Sequence, residues 1–137
     1  MNLEDSLHLV LQSPDCQVCA KFYDELFARR PETKRFFEKS NLRHQAAILA
    51  MSMQAVVSYA KQDFTAIGDY LKILGHKHRE RGIPPEEYPA FRDALLVALA
   101  EFHGADWTPD LAEQWHRAID RANTAMLAGY VDGPLFY

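Results

Sequence analysis

Phe64, Ile67, Leu71 and Leu74 follow one another at intervals of three, four and three, the spacing that gathers large apolar side chains onto one stripe of a helix. A further step of four lands on His78. The surrounding stretch, 63–88, reads DFTAIGDYLKILGHKHRERGIPPEEY. It opens on Asp63, a residue suited to N-capping, and Gly82 followed by Pro84 and Pro85 brings it to a stop. Whatever this chain folds into must bury an amphipathic helix whose inward face finishes on an imidazole. His76 lies two residues earlier, and at roughly 100° per residue it points the opposite way. The spacing therefore predicts His78 inside and His76 in solvent.

An imidazole in that place has two readings. It is a core histidine satisfied by a neighbour, or it is a metal or haem ligand. In the second case one ring nitrogen faces iron while the other donates to a carbonyl such as that of Leu74. Periodicity leaves both open.

The rest of the chain reads as helices between breakers, so the fold class is all-α. No stretch keeps a period of two for long, and no internal repeat or low-complexity tract occurs. A short first helix over 2–12 precedes Ser13-Pro14-Asp15, which predicts a cap, a proline at the first helical position and an acid in the first turn. The helix so opened runs to Pro31, with Cys16, Cys19, Tyr23, Leu26 and Phe27 inward. A turn over 31–37 ends in Phe36-Phe37, and a polar connection over 40–43 leads to a helix over 43–61 with Ile48, Leu49, Met53, Val56 and Val57 as its apolar positions. A helix over 85–102 carries Tyr88, Phe91, Leu95, Leu99 and Phe102 on one face. Thr108-Pro109-Asp110 caps the last, whose inner face is Leu111, Trp115, Ile119, Ala122, Met126 and Tyr130. His8, His103 and His116 fall off the stripes and are expected at the surface, and 131–137 is expected to be an irregular tail.

Length and charge exclude several classes of function. At 137 residues the chain suits a single domain, 1–137, burying roughly 68% of its unfolded surface. A net charge of −4 with no basic stripe argues against a nucleic-acid partner. No apolar run approaches a membrane span, and the acidic start Met1-Asn2-Leu3-Glu4-Asp5 is unlike a signal peptide, so a cytoplasmic protein is expected. Cys16 and Cys19 form a CxxC pair, but Ala20 stands where c-type haem attachment needs histidine, and zinc lacks a second ligand pair. Both are therefore read as small buried apolar residues. Tyr23 places its ring in a core stripe while its hydroxyl needs a partner, either backbone or a ligand.

The run Leu74-Gly75-His76-Lys77-His78-Arg79, then Gly82-Ile83, Tyr88 ten residues after the histidine, and Leu95-Leu96 resembles the proximal region of a globin. It is similar to bacterial single-domain haemoglobins, flavohaemoglobin haem domains and neuroglobin-like proteins, over nearly the whole chain. The resemblance implies a globin fold of about seven helices around a haem b pocket, with His78 as the proximal ligand to iron. It implies that Tyr23, in Phe22-Tyr23-x-x-Leu26-Phe27, lines the distal pocket, and that Phe37 packs on the haem face. Gln45 becomes the distal polar residue when Leu49, Met53 and Val57 take the inner positions. His44 takes that place if the connection aligns without a gap, and would then be a second iron ligand. Leu49, Leu74, Tyr88 and Leu95 complete the expected lining, and Arg43, Lys77 and Arg81 are candidates for the propionates.

The same resemblance implies reversible binding of dioxygen or nitric oxide, as carrier, store or scavenger. Flavohaemoglobins carry a glutamate on the last helix that hydrogen-bonds the proximal imidazole; here the equivalent place is Tyr130, and no glutamate follows Glu113 on that helix. That departure argues against peroxidase-like chemistry. With no GxGxxG in these 137 residues, turnover as an NO dioxygenase is expected to need an external reductase. A bis-histidyl redox or gas sensor using His44 and a haem-free globin-like interaction module are the other readings.

Overall fold

Caps and breakers set the element boundaries of this chain. The computed structural model describes residues 1–14, 16–62 and 64–131. Six α-helices carry the described residues: α1 Leu3–Gln12, α2 Gln17–Arg29, α3 Leu42–Gln62, α4 Thr65–Glu80, α5 Glu87–His103 and α6 Pro109–Val131. Two 3-10 turns, Pro31–Phe36 and Gly104–Asp106, complete them, and no strand occurs among the described residues. Asn2 caps α1 by accepting from the Asp5 amide at 2.9 Å, Asn41 caps α3, and Thr108 accepts from the Leu111 amide at 3.1 Å ahead of Pro109. Among the described residues no helix is long and apolar enough to cross a membrane. The all-α architecture expected from the sequence is the one observed among the described residues.

The helices pack most extensively in two pairs, α2 with α5 and α4 with α6, while α1 and α3 close the assembly. The core forms where α1, α2, α5 and α6 meet: Val10, Val18, Leu26, Leu99, Leu111 and Trp115 have no exposed surface. Met53 and Val57 bring α3 into it. Arg30, at the end of α2, reaches Glu87, which is 2% exposed in the first turn of α5, with Nε 3.0 and 3.3 Å from the two carboxylate oxygens and Nη2 on the first. This charge pair ties the α2 corner to the start of α5.

Several boundaries and faces differ from the sequence expectation. Ser13 ends α1, its hydroxyl donating to the Val10 carbonyl at 2.7 Å, and does not open α2, which begins after Cys16. Asp15 and Asp63 lie outside the described residues, as does 132–137 of the expected tail; Val131 is the last residue of α6. Phe64 occupies the cap position of α4 and is 55% exposed, so the buried stripe runs from Ile67. Cys16 and Cys19 are joined in a disulfide rather than packed as free thiols. His76 is also drawn in: its Nδ1 lies 3.3 Å from the Gly129 carbonyl and its Nε2 3.1 Å from Glu80. The reason is that α6 packs along the flank of α4, giving that helix two covered sides.

His103, expected at the surface, is buried at 8% exposure in a polar corner. The Trp115 indole donates to Ser6 Oγ at 2.9 Å, and Ser6 Oγ lies 2.6 Å from His103 Nε2, so three helices share one hydroxyl. With the indole as donor, Ser6 is free to donate to a neutral His103. Burial holds His103 below its ordinary value of 6.5, with Asp106 pulling the other way. As pH falls below 6.5 the unfolded chain takes up this proton and the folded chain does not, so stability is lost on acidification. His78 adds to the slope with the same sign. Denaturant midpoints at roughly pH 7 and roughly pH 5 are therefore expected to differ less in His103→Phe than in the parent.

Candidate functional site

The end of α4 is fixed by its own backbone. Gly82 takes the left-handed conformation with φ 81°, its amide donates to the Arg79 carbonyl at 2.9 Å, and the Ile83 amide donates to the His78 carbonyl at 3.1 Å. These are the two closing bonds of a Schellman motif, which requires glycine at that turn. Tyr130 of α6 then donates to the Ile83 carbonyl at 2.7 Å. The corner after His78 is thus pinned from both sides.

His78 itself is half-buried, and its Nδ1 lies 3.1 Å from the Tyr88 hydroxyl. The ring partner is therefore a phenol from α5, not the Leu74 carbonyl. Tyr88 is 5% exposed and meets the Tyr130 ring edge-on at 5.7 Å. Among the described residues Nε2 of His78 has no hydrogen-bond partner. Burial, and then the Arg81 charge, push the imidazole down to about 4, so it is neutral at any ordinary pH. Burial also raises both phenols above their usual range. Among the described residues no carboxylate reaches the imidazole, and Glu87, beside Tyr88, is taken up by Arg30.

Across from this helix, α2 and α3 bring a second polar pair together. Tyr23 is 8% exposed, and its hydroxyl lies 3.3 Å from the backbone carbonyl of Gln45 and 3.4 Å from its Oε1. Gln45 Nε2 donates to Ser40 Oγ at 2.8 Å. The Tyr23 contacts are long for a hydroxyl donor, so its proton is weakly committed. Burial pushes the Tyr23 phenol up to about 12, which keeps that proton in place. The ring stands among Phe22, Phe27 and Phe37, the last edge-on at 5.4 Å. His44, one residue before Gln45, is exposed, and its amide is held by Asn41 Oδ1 at 3.2 Å.

Between the start of α3 and the end of α4 opens a cleft of about 880 Å³. Phe36, Ala47 and Ile48 give it apolar wall, Gln45 an amide, and Lys39, Arg43 and Arg81 three cations, with no carboxylate among the described residues lining it. Arg81 follows His78 by three residues and so lies on its side of the chain. Leu74 and Leu49 are half-buried and Leu95 is 7% exposed. Ser40, Lys39 and Asn41 were not singled out from the sequence. Asn41 directly before the helical run was a legible cap signal; Ser40 and Lys39 carried none.

Among the described residues no three His, Cys, Asp or Glu side chains converge, so the chain offers a metal one imidazole. The donor set suits a metal that arrives with its own equatorial ligands in a flat, partly apolar group bearing negative charge at its rim.

A family model, that of the globins, matches residues 20–126. The chain is 33% identical over 110 residues to a flavohemoprotein of Bacillus subtilis, covering 80% of this chain and 28% of that protein. It is 35% identical over 98 residues to a flavohemoprotein of Bacillus thuringiensis, covering 70% and 24% respectively. A flavohemoprotein of Rhizobium meliloti is 28% identical over 111 residues, 80% of this chain and 27% of the relative. The chain spans about a quarter of the length of these relatives.

Proposed function

The chain belongs to the globin family, and on that premise we propose that it binds haem b and uses it to hold dioxygen or nitric oxide reversibly. The observation that carries this reading is His78: a neutral, half-buried imidazole tethered through Nδ1 with Nε2 uncommitted, one turn from a cleft with a cationic rim. Haem would supply an iron able to take an imidazole from His78 and to bind a diatomic ligand.

The chain's own residues then have separable tasks. Nδ1–H of His78 donates to Tyr88, which fixes the tautomer and leaves the Nε2 lone pair for the iron. A phenol is a neutral acceptor, so it orients the ring without pushing the imidazole toward its anion. Phe37, Leu49, Leu74 and Leu95, the apolar residues that the family resemblance assigns to the haem, lie outside the lining of the cleft and would shield the bound group from water on its inner side. Lys39, Arg43 and Arg81 pair with the two carboxylates of the group. Tyr23, whose present contacts are long, re-aims its hydroxyl at the outer atom of a polar diatomic, and Gln45, anchored on Ser40, supplies a second N–H.

A hydroxyl hydrogen bond worth about 1 to 1.5 kcal/mol corresponds to roughly tenfold in affinity. Tyr23→Phe is therefore expected to release oxygen about tenfold faster in stopped-flow displacement; an unchanged rate removes Tyr23 from the role. The visible spectrum of the purified protein tests the reading as a whole. A high-spin ferrous spectrum that shifts under oxygen supports it. A low-spin ferrous spectrum without added ligand assigns His44 to the iron, and no Soret band leaves a haem-free module. A second reading is NO dioxygenation with electrons from a reductase; the similar Bacillus proteins are named flavohemoproteins.

A further inference from the structure

We propose that Cys16–Cys19 is a thiol–disulfide exchange site for an external dithiol, and that its redox state sets the contact between Tyr23 and Gln45. The second half rests on the assignment of those residues to the gas pocket; the first does not. The pair lies just outside residues 20–126, the part matched by the globin family, so the family architecture does not account for it.

Three features of the pair point to exchange. The disulfide spans a CxxC at the very start of α2, with Cys16 in the cap position. Cys16 has φ 47°, and among the described residues it is the non-glycine residue with a positive φ. The backbone at this turn is strained for a side-chain-bearing residue, and opening the ring lets it relax. The two residues also differ in exposure: Cys16 is half-buried, whereas Cys19 is 1% exposed. An incoming thiolate therefore meets Cys16.

The chemistry balances with a dithiol as reductant. One thiolate of the dithiol attacks Cys16 Sγ, the Cys16–Cys19 bond breaks, and Cys19 leaves as a thiolate that picks up a proton. The second thiol of the reductant, deprotonated, attacks the mixed disulfide and releases Cys16. Two electrons and two protons pass to the pair, and the dithiol becomes a disulfide. The reverse exchange with an external disulfide closes the pair again.

The link to the pocket is direct. Cys19 Sγ lies 3.4 Å from the carbonyl oxygen of Ala46, the residue after Gln45. As a disulfide sulfur it carries no hydrogen, so a sulfur lone pair meets an oxygen lone pair there. Reduction gives Cys19 an S–H, and the same contact becomes a hydrogen bond from α2 to α3. Tyr23 sits one turn further along α2 on the same face as Cys19, and its hydroxyl contacts Gln45. Reduction tightens α2 against α3 at Gln45, and oxidation loosens it.

The test equilibrates the full chain in dithiothreitol redox buffers and reads three quantities. Alkylation followed by mass measurement is expected to show both thiols opening and closing together; cysteines that never close, or that stay closed under excess dithiol, overturn the proposal. The side-chain amide resonance of isotope-labelled Gln45 is expected to differ between the two states, and identical resonances overturn the coupling. Cys19→Ser, which keeps a donor toward Ala46, is expected to resemble the reduced state in that resonance, and resemblance to the oxidised state counts against it. Oxygen dissociation is expected to differ about threefold between the two states, and to be insensitive to redox state in Tyr23→Phe. If the resonance shifts while gas release does not, the assignment of Tyr23 and Gln45 to the gas pocket fails and the exchange site stands.

Discussion

His78→Ala is expected to lose more than about a hundredfold in haem retention, because removing even an outer partner of a metal ligand costs 10–100-fold. The readouts are haem transfer to a competing apoprotein and the absorbance of the purified variant. Tyr88→Phe supplies the intermediate case. It keeps the imidazole but removes the hydroxyl 3.1 Å from Nδ1, so the ring loses its tether and the loss falls within that outer-partner range. Neither substitution should unfold the chain. His78 is half-buried on a helix whose main packing lies against α6, and alanine is the better helix former. Circular dichroism of the haem-free variants is thus expected to match the parent. If His78→Ala retains haem with the parent's absorbance, iron is not held from this side and the proposed function falls with it.

Free imidazole sharpens the result. Truncating His78 leaves a space of the ring's size beside Tyr88, and added imidazole is expected to restore the absorbance. Restoration from Tyr88→Phe is not expected, because there the ring is present and misaligned rather than missing.

The sequence showed the inward placement of His78 because the signal is local: four apolar residues at helical intervals, a glycine and two prolines after them. It showed the cap at Thr108 for the same reason. What it hid depends on contacts between elements distant in the chain. His103 looks off-stripe within α5, and its burial follows from Ser6 and Trp115 arriving from α1 and α6 with complementary donors. His76 sits on the outer side of the α4 stripe, yet α6 covers that flank. The cysteine pair was hidden because CxxC spacing does not reveal whether the two sulfurs are turned toward each other; in the structure they are bonded, across Cα atoms 5.2 Å apart. In the gas-pocket candidate, the choice between Gln45 and His44 turns on a single residue of register in the 40–43 connection. Asn41 sets that register in the structure by capping α3, which leaves Gln45 beside Tyr23 and His44 exposed.

The site's position depends in turn on two glycines where α4 crosses α6, and Gly75→Ala is expected to be among the most damaging single changes in the chain. A Cβ at Gly75 would lie 1.8 Å from the Met126 backbone carbonyl oxygen, and one at Gly129 would lie 2.2 Å from that of Lys72. These are backbone atoms within helices, so no side chain can swing aside. The helices must separate by more than an ångström, giving up their packing along the whole crossing. The expected cost is about 3 kcal/mol or more, roughly 10 °C in Tm. Gly68 on the same helix supplies the control. A Cβ there would meet the Tyr59 ring at 3.3 Å, a side chain that can yield by a few tenths of an ångström. Gly68→Ala therefore gains up to about 1 kcal/mol of helix propensity and is expected to be neutral or stabilising. Two Gly→Ala changes seven residues apart on one helix should thus differ sharply, with a large loss of Tm at Gly75 and no loss, or a gain, at Gly68. Because Gly75 lies one turn before His78, displacing α4 also carries the imidazole away from α3, so the destabilised variant is expected to lose haem faster even below its Tm. Equal melting temperatures for Gly75→Ala and Gly68→Ala would mean that α4 and α6 do not approach backbone to backbone, and that the imidazole is not held where this crossing puts it.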